Sequence, residues 1–460
     1  MSATVPAHDY PPLEEAEAPL PAEFSEDALA VAWVKRHGKN WRYVSQWSAW
    51  FHWLGDRWQQ ERTHEPFDLA RNITREALLW PGINKAQARQ VNSAKTAGAM
   101  LQFVKADRSV AATIDQWDND SNLLGVPGGV LDLSICKLIA PEREQYITKQ
   151  AAVTPTAGTP TRWLEFLATV TNGNADVIAY LQRFAGYCLT GDTSEHAMAF
   201  LYGTGANGKT TFVQVLLSVL KDYALTAPIE TFAETKNDRH STELARLRGA
   251  RLVATEETST GSKWNESRIK TLTGGNRIAA HFMRQDDFEF MPEFKLLIAG
   301  NHKPQMRAVD EAMKRRMHIV PFTVTIPEEE RDAHLQDALR AEWPQILTWI
   351  LEGCAAWRDY RLAPPEEVRA ATELYLQTED TLGAWLEECC ERGGQGEGRA
   401  LYQSFSDWCT EQGEHVWGRR AWSNAMIDKG FEPKRNAKAR MFNGITVRMK
   451  APVSMSKFSD

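Results

Sequence analysis

No stretch of this 460-residue chain approaches the roughly 18 to 20 consecutive apolar residues that a membrane-crossing helix needs, so a transmembrane segment is excluded. The N-terminus lacks a basic patch followed by an apolar run, so no secretory leader is expected. The six cysteines, Cys136, Cys188, Cys354, Cys389, Cys390 and Cys409, form no C-x-x-C pair and have no closely spaced histidine pair nearby. That pattern argues against a zinc module and for reduced thiols in a cytoplasmic protein. A basic excess is also missing, since the net charge is −7. Residues 1–27, however, hold Asp9, Glu14, Glu15, Glu17, Glu23, Glu26 and Asp27 with no Lys or Arg, which accounts for all of it. The remaining body is formally neutral, and a neutral body with local basic patches can still bind nucleic acid through the field near each patch.

What is present reads as several domains, because 460 residues exceed one ordinary core. Residues 1–23, rich in Pro, Ala and Glu, read as a disordered acidic tail. Ser25-Glu26-Asp27 then caps a helix, and Trp41–Val44 and 50–58 read as short strands joined by a tight turn. Six tryptophans between 33 and 58 suit either a small core or a base-stacking platform, and the core is the more economical reading. Helical stretches follow to about residue 112, then a turn and strand at 126–133. Residues 154–161 read as a linker, 163–189 as helical, and 361–365 as a second linker. Residues 411–450 carry nine Lys or Arg against four acids.

The chemistry is concentrated after the strand Ala199-Phe200-Leu201-Tyr202. There Gly203-Thr204-Gly205-Ala206-Asn207-Gly208-Lys209-Thr210 fits G-x-x-x-x-G-K-[ST], with a helix from Thr211 to Leu220 behind it. Glycines let backbone N–H groups turn inward around phosphates, and the helix N-terminus adds partial positive charge. Residues Gly203 to Thr211 are therefore the candidate ATP site, with Lys209 on the β- and γ-phosphates and Thr210 on Mg2+. A second apolar strand, 251–255, ends in Glu256-Glu257, two carboxylates suited to hold Mg2+ through water and to polarise the attacking water. A third, 294–300, ends in Asn301, whose amide suits sensing the γ-phosphate. Lys314-Arg315-Arg316 precedes the strand 317–322, and Arg315 or Arg316 suits an arginine finger lent to a neighbouring subunit.

With these elements in this order, the chain resembles superfamily 3 helicases, specifically the phage and plasmid primase–helicase family of satellite-phage alpha proteins and poxvirus primase-helicases. Further matches are Thr242–Val253 before the second strand, Ile269-Lys270-Thr271-Leu272-Thr273-Gly274-Gly275, Phe288–Pro304, and upstream 117–133 and 184–191. The family commonly has aspartate where Asn276 stands and arginine where His281 stands. The resemblance implies a mixed α/β N-terminal domain at 24–155, a helical collar at 156–196, an α/β AAA+-type P-loop motor at 197–362 and a C-terminal winged helix at 366–460. It implies a homo-oligomeric ring, expected as a hexamer, that moves 3′ to 5′ on single-stranded DNA at the cost of ATP. A hairpin from Ile278 to Phe290 would enter the channel, with Lys270, His281 and Arg284 toward DNA. Arg419 and Arg420 on a recognition helix, with Lys434, Arg435, Lys438 and Arg440 on the wing, would take duplex origin DNA.

Family members often carry a polymerase-like primase domain ahead of this region, whereas about 23 tail residues precede it here. Helicase activity is therefore expected without priming, with a separate primase or polymerase as partner, in a bacterial cytoplasm and from a phage, prophage or plasmid. Two alternatives stay open: an origin-binding initiator that uses ATP only as a switch, and a true primase–helicase.

Overall fold

The computed structural model describes residues 21–203, 205–234, 241–256, 263–281, 287–304, 306, 311–378, 381–414, 416–435 and 440–448. Most of the expected acidic tail lies outside them. The chain forms two compact units: one runs to Asn119 and takes back Pro141–Thr148, the other holds Asp120–Ala140 and everything from Lys149.

The first unit contains α1 (Glu26–His37), β1 (Trp41–Val44), β2 (Ala49–Trp53), β3 (Trp58–Gln60), α2 (Glu65–Ala77), α3 (Lys85–Val91), α4 (Ala94–Ala106) and β4 (Ala111–Ala112). Helix α1 starts where Ser25 ends the extended chain, because its hydroxyl accepts from the Ala28 N–H at 3.1 Å. The strands form one sheet in the order β3-β2-β1-β4. Alternation decides where the tryptophans go: Ala49, Phe51 and Trp53 of β2 face inward and Trp50 and His52 are half-buried. Trp33 and Trp58 are fully buried and Trp41 nearly so, so these rings are core rather than platform.

The second unit opens with β5 (Leu123–Val126), β6 (Gly129–Asp132) and β7 (Lys137–Ile139), then α5 (Thr161–Val170) and α6 (Ala175–Tyr187). The expected boundary near 155 placed residues 120–140 with the N-terminal domain. In the structure they fall in the second unit, where Leu124, Val126, Leu131 and Leu133 share a core with Tyr180, Leu181 and Phe184 of α6. The chain continues through β8 (Met198–Tyr202), α7 (Lys209–Leu220), β9 (Ala224–Thr226), α8 (Ser241–Arg246), β10 (Leu252–Glu256), α9 (Glu266–Thr273), β11 (Ile278–Ala280), β12 (Phe288–Phe290), β13 (Lys295–Gly300), α10 (Glu311–Lys314) and β14 (Met317–Pro321).

Five of these strands make a parallel sheet in the order β14-β8-β13-β10-β9. Both faces are covered, which is why its strands read as continuous apolar runs. Ala199, Leu201, Leu297 and Ala299 face the core that holds α6 and α7, while Met198, Phe200, Leu296 and Ile298 face the core that holds α9 and the β11–β12 hairpin. Helices α11 (Leu335–Ala341), α12 (Trp343–Tyr360) and α13 (Glu366–Thr378) follow. Helix α13 covers the sheet edge, where the Thr372 hydroxyl accepts from the Ile319 N–H at 2.9 Å. The remainder runs α14 (Thr381–Cys389), β15 (Cys390–Glu397), α15 (Gly398–Gln412), α16 (Arg419–Asp428), β16 (Pro433–Arg435) and β17 (Arg440–Val447), with sheet order β15-β17-β16 around Trp385, Phe405 and Trp422.

One cation is buried at the start of β13. The Lys295 ammonium donates to the carbonyls of Asp192 at 3.2 Å, Glu293 at 3.0 Å and Thr190, and lies over the Tyr187 ring. Burial pushes its pKa down to about 8. The unfolded chain keeps the ordinary value of about 10.4, so between those two values it binds more protons than the folded chain and stability rises with pH. Denaturant titrations at pH 7.5 and 9.5 should show wild type gaining on Lys295→Met as pH rises; parallel changes in the two proteins would refute the assignment.

Among the described residues no helix is long and apolar enough to cross a membrane.

Candidate functional site

Strand β8 delivers the glycine-rich turn at its carboxyl end, and α7 begins at its last residues. Gly205 and Gly208 take φ of +113° and +81°, a region that L side chains avoid. At Gly203 a Cβ would meet the Phe322 carbonyl oxygen at 2.0 Å, and at Gly208 it would meet Val170 and Phe166 at 2.5 and 2.8 Å. The loop is therefore pressed between β14's exit and α5, and glycine is a packing requirement as well as a conformational one. Asn207 pins it further by donating to the Phe322 carbonyl at 2.9 Å. Thr210 is exposed on the first turn of α7 with Thr211 beside it, and Thr204 lies outside the described residues.

Because β13 is inserted between β8 and β10, its end arrives beside this loop: Gly300 pairs with Tyr202, and Asn301 follows. The Lys209 ammonium joins the two strand ends. It donates to Gly203 O at 2.7 Å, Asn207 Oδ1 at 2.9 Å and Asn301 Oδ1 at 3.0 Å. Lys209 is 5% exposed, and burial lowers its pKa. Its bonded partners among the described residues are neutral oxygens, with no carboxylate. A buried cation with only neutral partners among the described residues, at a helix N-terminus and under backbone held open by glycine, is an arrangement that suits an anion.

The other expected site residues fall as follows. Glu256 ends β10 opposite Ala299, two residues before Asn301, whereas Glu257 lies outside the described residues. Arg315 and Arg316 stand at the opposite, amino end of the sheet, since Met317 pairs with Met198, the first residue of β8. A five-residue strand separates them from the loop by about 16 Å, so neither reaches the loop of its own protomer. The two arginines differ. Arg316 is buried and committed, donating to Thr273 Oγ1 at 3.1 Å and Ala312 O at 2.8 Å. Arg315 is exposed and lines a concavity of about 530 Å3 beside His318, Val368 and Arg369. Arg316→Ala should cost roughly 2 kcal/mol of stability by stranding buried acceptors, and Arg315→Ala less than about 0.5 kcal/mol. Equal denaturation midpoints for the two variants would contradict this division.

Lys270 is half-buried on α9. His281, past β11, pairs with Asp287 at 3.1 Å, and Arg284 lies outside the described residues. In the C-terminal part Arg419 and Arg420 are exposed at the start of α16, Lys434 is exposed on β16, and Arg440 opposes Arg435 in the β16–β17 ladder. Lys438 lies outside the described residues.

Motif reading missed a connection behind the site. Two residues past Asn301, the Lys303 ammonium lies 4.2 Å from the Tyr202 ring centroid and 5.5 Å from that of Tyr375 on α13. The Tyr375 hydroxyl donates to the Pro304 carbonyl and accepts from the Trp264 indole N–H at 3.0 Å. The helix leading to the C-terminal part is thus wired to the loop that carries Asn301.

Residues 30–172 match the family model described as D5 N terminal like, and residues 201–316 match a family of unknown function (DUF5906). The first of these matches gives residues 30–172 a likeness to the D5 N terminal like family. The chain is 30% identical over 145 residues to the candidate helicase L207/L206 of Acanthamoeba polyphaga mimivirus, covering 31% of this chain and 15% of that protein. It is 26% identical over 288 residues to the candidate helicase 022R of Frog virus 3 (isolate Goorha), covering 57% and 29%. With the candidate helicase 184R of Invertebrate iridescent virus 6 the identity is 22% over 393 residues, covering 75% and 40%. The chain thus spans well under half the length of these relatives. The apo C-terminal region of NrS-1 (305–718) shares the fold at a TM-score of 0.51 and 9% identity, with 91% of this chain and 99% of that one covered.

Proposed function

We infer that this chain, with its likeness to D5-type proteins, is the ATP-driven motor of a superfamily 3 DNA helicase, of AAA+ type, working as a hexameric ring on single-stranded DNA. The observation that carries the reading is the Lys209 ammonium, buried without an anionic partner among the described residues and shared between the glycine turn and Asn301. On ATP binding it exchanges amide and carbonyl oxygens for β- and γ-phosphate oxygens, which frees Asn301 to hold the water that attacks the γ-phosphorus. The bond to the β-phosphate oxygen breaks, giving ADP and phosphate. Thr210 and, through water, Glu256 would hold Mg2+, which would supply positive charge to the phosphates. Glu257 is assigned to polarise the water.

Arg315, too far from its own loop and free at the surface, is the residue assigned to complete a neighbour's site, and Arg316 is withdrawn from that role. The helix–strand–helix–helix–hairpin order of residues 381–447 fits a winged helix, with Arg419, Arg420, Lys434, Arg435, Lys438 and Arg440 toward duplex DNA. Lys270, His281 and Arg284 are assigned to the single strand in the channel. A ring motor predicts ATPase stimulated by single-stranded DNA and displacement of a strand from a forked duplex. ATP-dependent duplex binding without displacement would replace this reading with an assembly switch, and primer synthesis from ribonucleotides would add a priming activity.

A further inference from the structure

Asn301 is the first residue past β13, and two contacts reach it from the strand side. Gly300 pairs with Tyr202, and the Asn301 amide oxygen accepts from the Lys209 ammonium at 3.0 Å. Neither orients the amide by itself, because Asn301 is exposed and a lysine stem is flexible. The loop is held from its far side by α13.

Tyr375 of α13 is 1% exposed, and its hydroxyl closes a buried chain of polar groups. The Trp264 indole N–H donates to it at 3.0 Å, and it donates in turn to the Pro304 carbonyl. Trp264 packs edge-on against Phe200 of β8, with ring centroids 6.0 Å apart. The strand that feeds the glycine turn and the loop that carries Asn301 are therefore tied to one tyrosine. The Lys303 ammonium adds a second tie, since it lies over the rings of both Tyr202 and Tyr375.

Packing alone does not ask for that hydroxyl. The Tyr375 ring sits among Met198, Phe200, Ile298 and Trp264, where a phenylalanine ring would fill the same space. Nor is it needed to hold α13 on the sheet. Thr372 already bonds the Ile319 N–H, and Glu367 accepts from the Asn174 side-chain amide at 2.7 Å. What the hydroxyl alone supplies is a fixed position for Pro304, and so for the loop that begins at Asn301.

We propose that Tyr375 is a positioning residue for hydrolysis: through the Pro304 carbonyl it sets the loop after β13 so that Asn301 meets the attacking water. The proposal rests on the reading of Asn301 as the group that holds this water, and the two fail differently. In the full chain, Tyr375→Phe keeps the ring and removes the hydroxyl. Single-turnover hydrolysis, normalised to bound nucleotide, should slow about tenfold while ATP affinity stays within about twofold, because Lys209 still holds the phosphates. Asn301→Ala should slow the same step on the order of a hundredfold. In the Asn301→Ala background, Tyr375→Phe should then change the rate by less than about twofold. A merely structural hydroxyl would slow both backgrounds by one factor; that result, or a Tyr375→Phe protein that is not slowed, overturns the positioning role. Full turnover by Asn301→Ala alone would sink the reading of Asn301 and the role built on it. Should Tyr375→Phe fail to fold, Lys303→Met, at a half-buried site, runs the same cycle on the loop's other tie. About a threefold loss that vanishes without Asn301 is expected there, and equal losses in both backgrounds would overturn the role.

Discussion

Replacing Lys209 with alanine is expected to lower ATP hydrolysis by roughly a thousandfold, the scale on which cationic groups act in phosphoryl transfer. The ammonium is the described cation nearest the turn's neutral oxygens, and the charge that develops on the γ-phosphoryl group has no described substitute for it. The fold should survive. The substitution removes a buried charge as well as three hydrogen bonds, and these oppose each other in the stability of the free protein. Steady-state hydrolysis with single-stranded DNA, alongside thermal unfolding, separates the two effects. A variant with full turnover would remove the site assignment, and one that fails to fold would show the lysine to be structural.

The largest loss of stability is expected far from the loop, at Gly186→Ala. Helices α6 and α12 cross on two glycines: a Cβ at Gly186 would lie 2.0 Å from the Cys354 nitrogen, and one at Gly353 2.1 Å from the Gln182 carbonyl oxygen. Both opponents are backbone, so no side chain can turn aside and the helices must part. That disrupts the core shared by Tyr180, Phe184, Ile350 and Cys354, which also supports α7. A cost of about 3 to 5 kcal/mol follows, a fall of roughly 10 °C in the unfolding of this unit. Gly98→Ala makes the control, since the space around its Cβ is open and its helix α4 is long; it should stabilise by roughly 0.5 to 1 kcal/mol. Calorimetry that finds the two substitutions equal would show the helix crossing to be looser than described.

The glycine turn was readable in the sequence because its requirement is local: Gly205 and Gly208 must adopt positive φ whatever surrounds them. The sheet strands were readable because burial on both faces leaves unbroken apolar runs, as in residues 295–300. Trp33, Trp41, Trp53 and Trp58 followed the expected packing into a core, while Trp47 stayed exposed. Adjacent arginines were not separable by pattern. Arg315 and Arg316 differ only in which side of a chain entering β14 each occupies, and Thr273, some 43 residues earlier, decides that Arg316 is the buried one. The same non-locality hid the unit boundary. Prolines at 154–161 mark a loop truly enough, but Leu124 and Leu131 pack on α6, which the intervening sequence cannot announce. The face of α5 against Gly208 was missed likewise, because what makes Phe166 part of the site is a side chain that glycine lacks.

The central claim is that a triphosphate held by one protomer's turn is cleaved with an arginine from the next. Mixing two inactive proteins tests it most directly. Lys209→Ala keeps Arg315 but has no working loop; Arg315→Ala keeps the loop but has no donor. Each alone should hydrolyse ATP at a small fraction of the wild-type rate. In an equimolar mixture about a quarter of the interfaces would join an intact loop to an intact arginine, and a corresponding share of activity should return. A mixture as inactive as its components, or an Arg315→Ala protein that needs no rescue, would contradict the account.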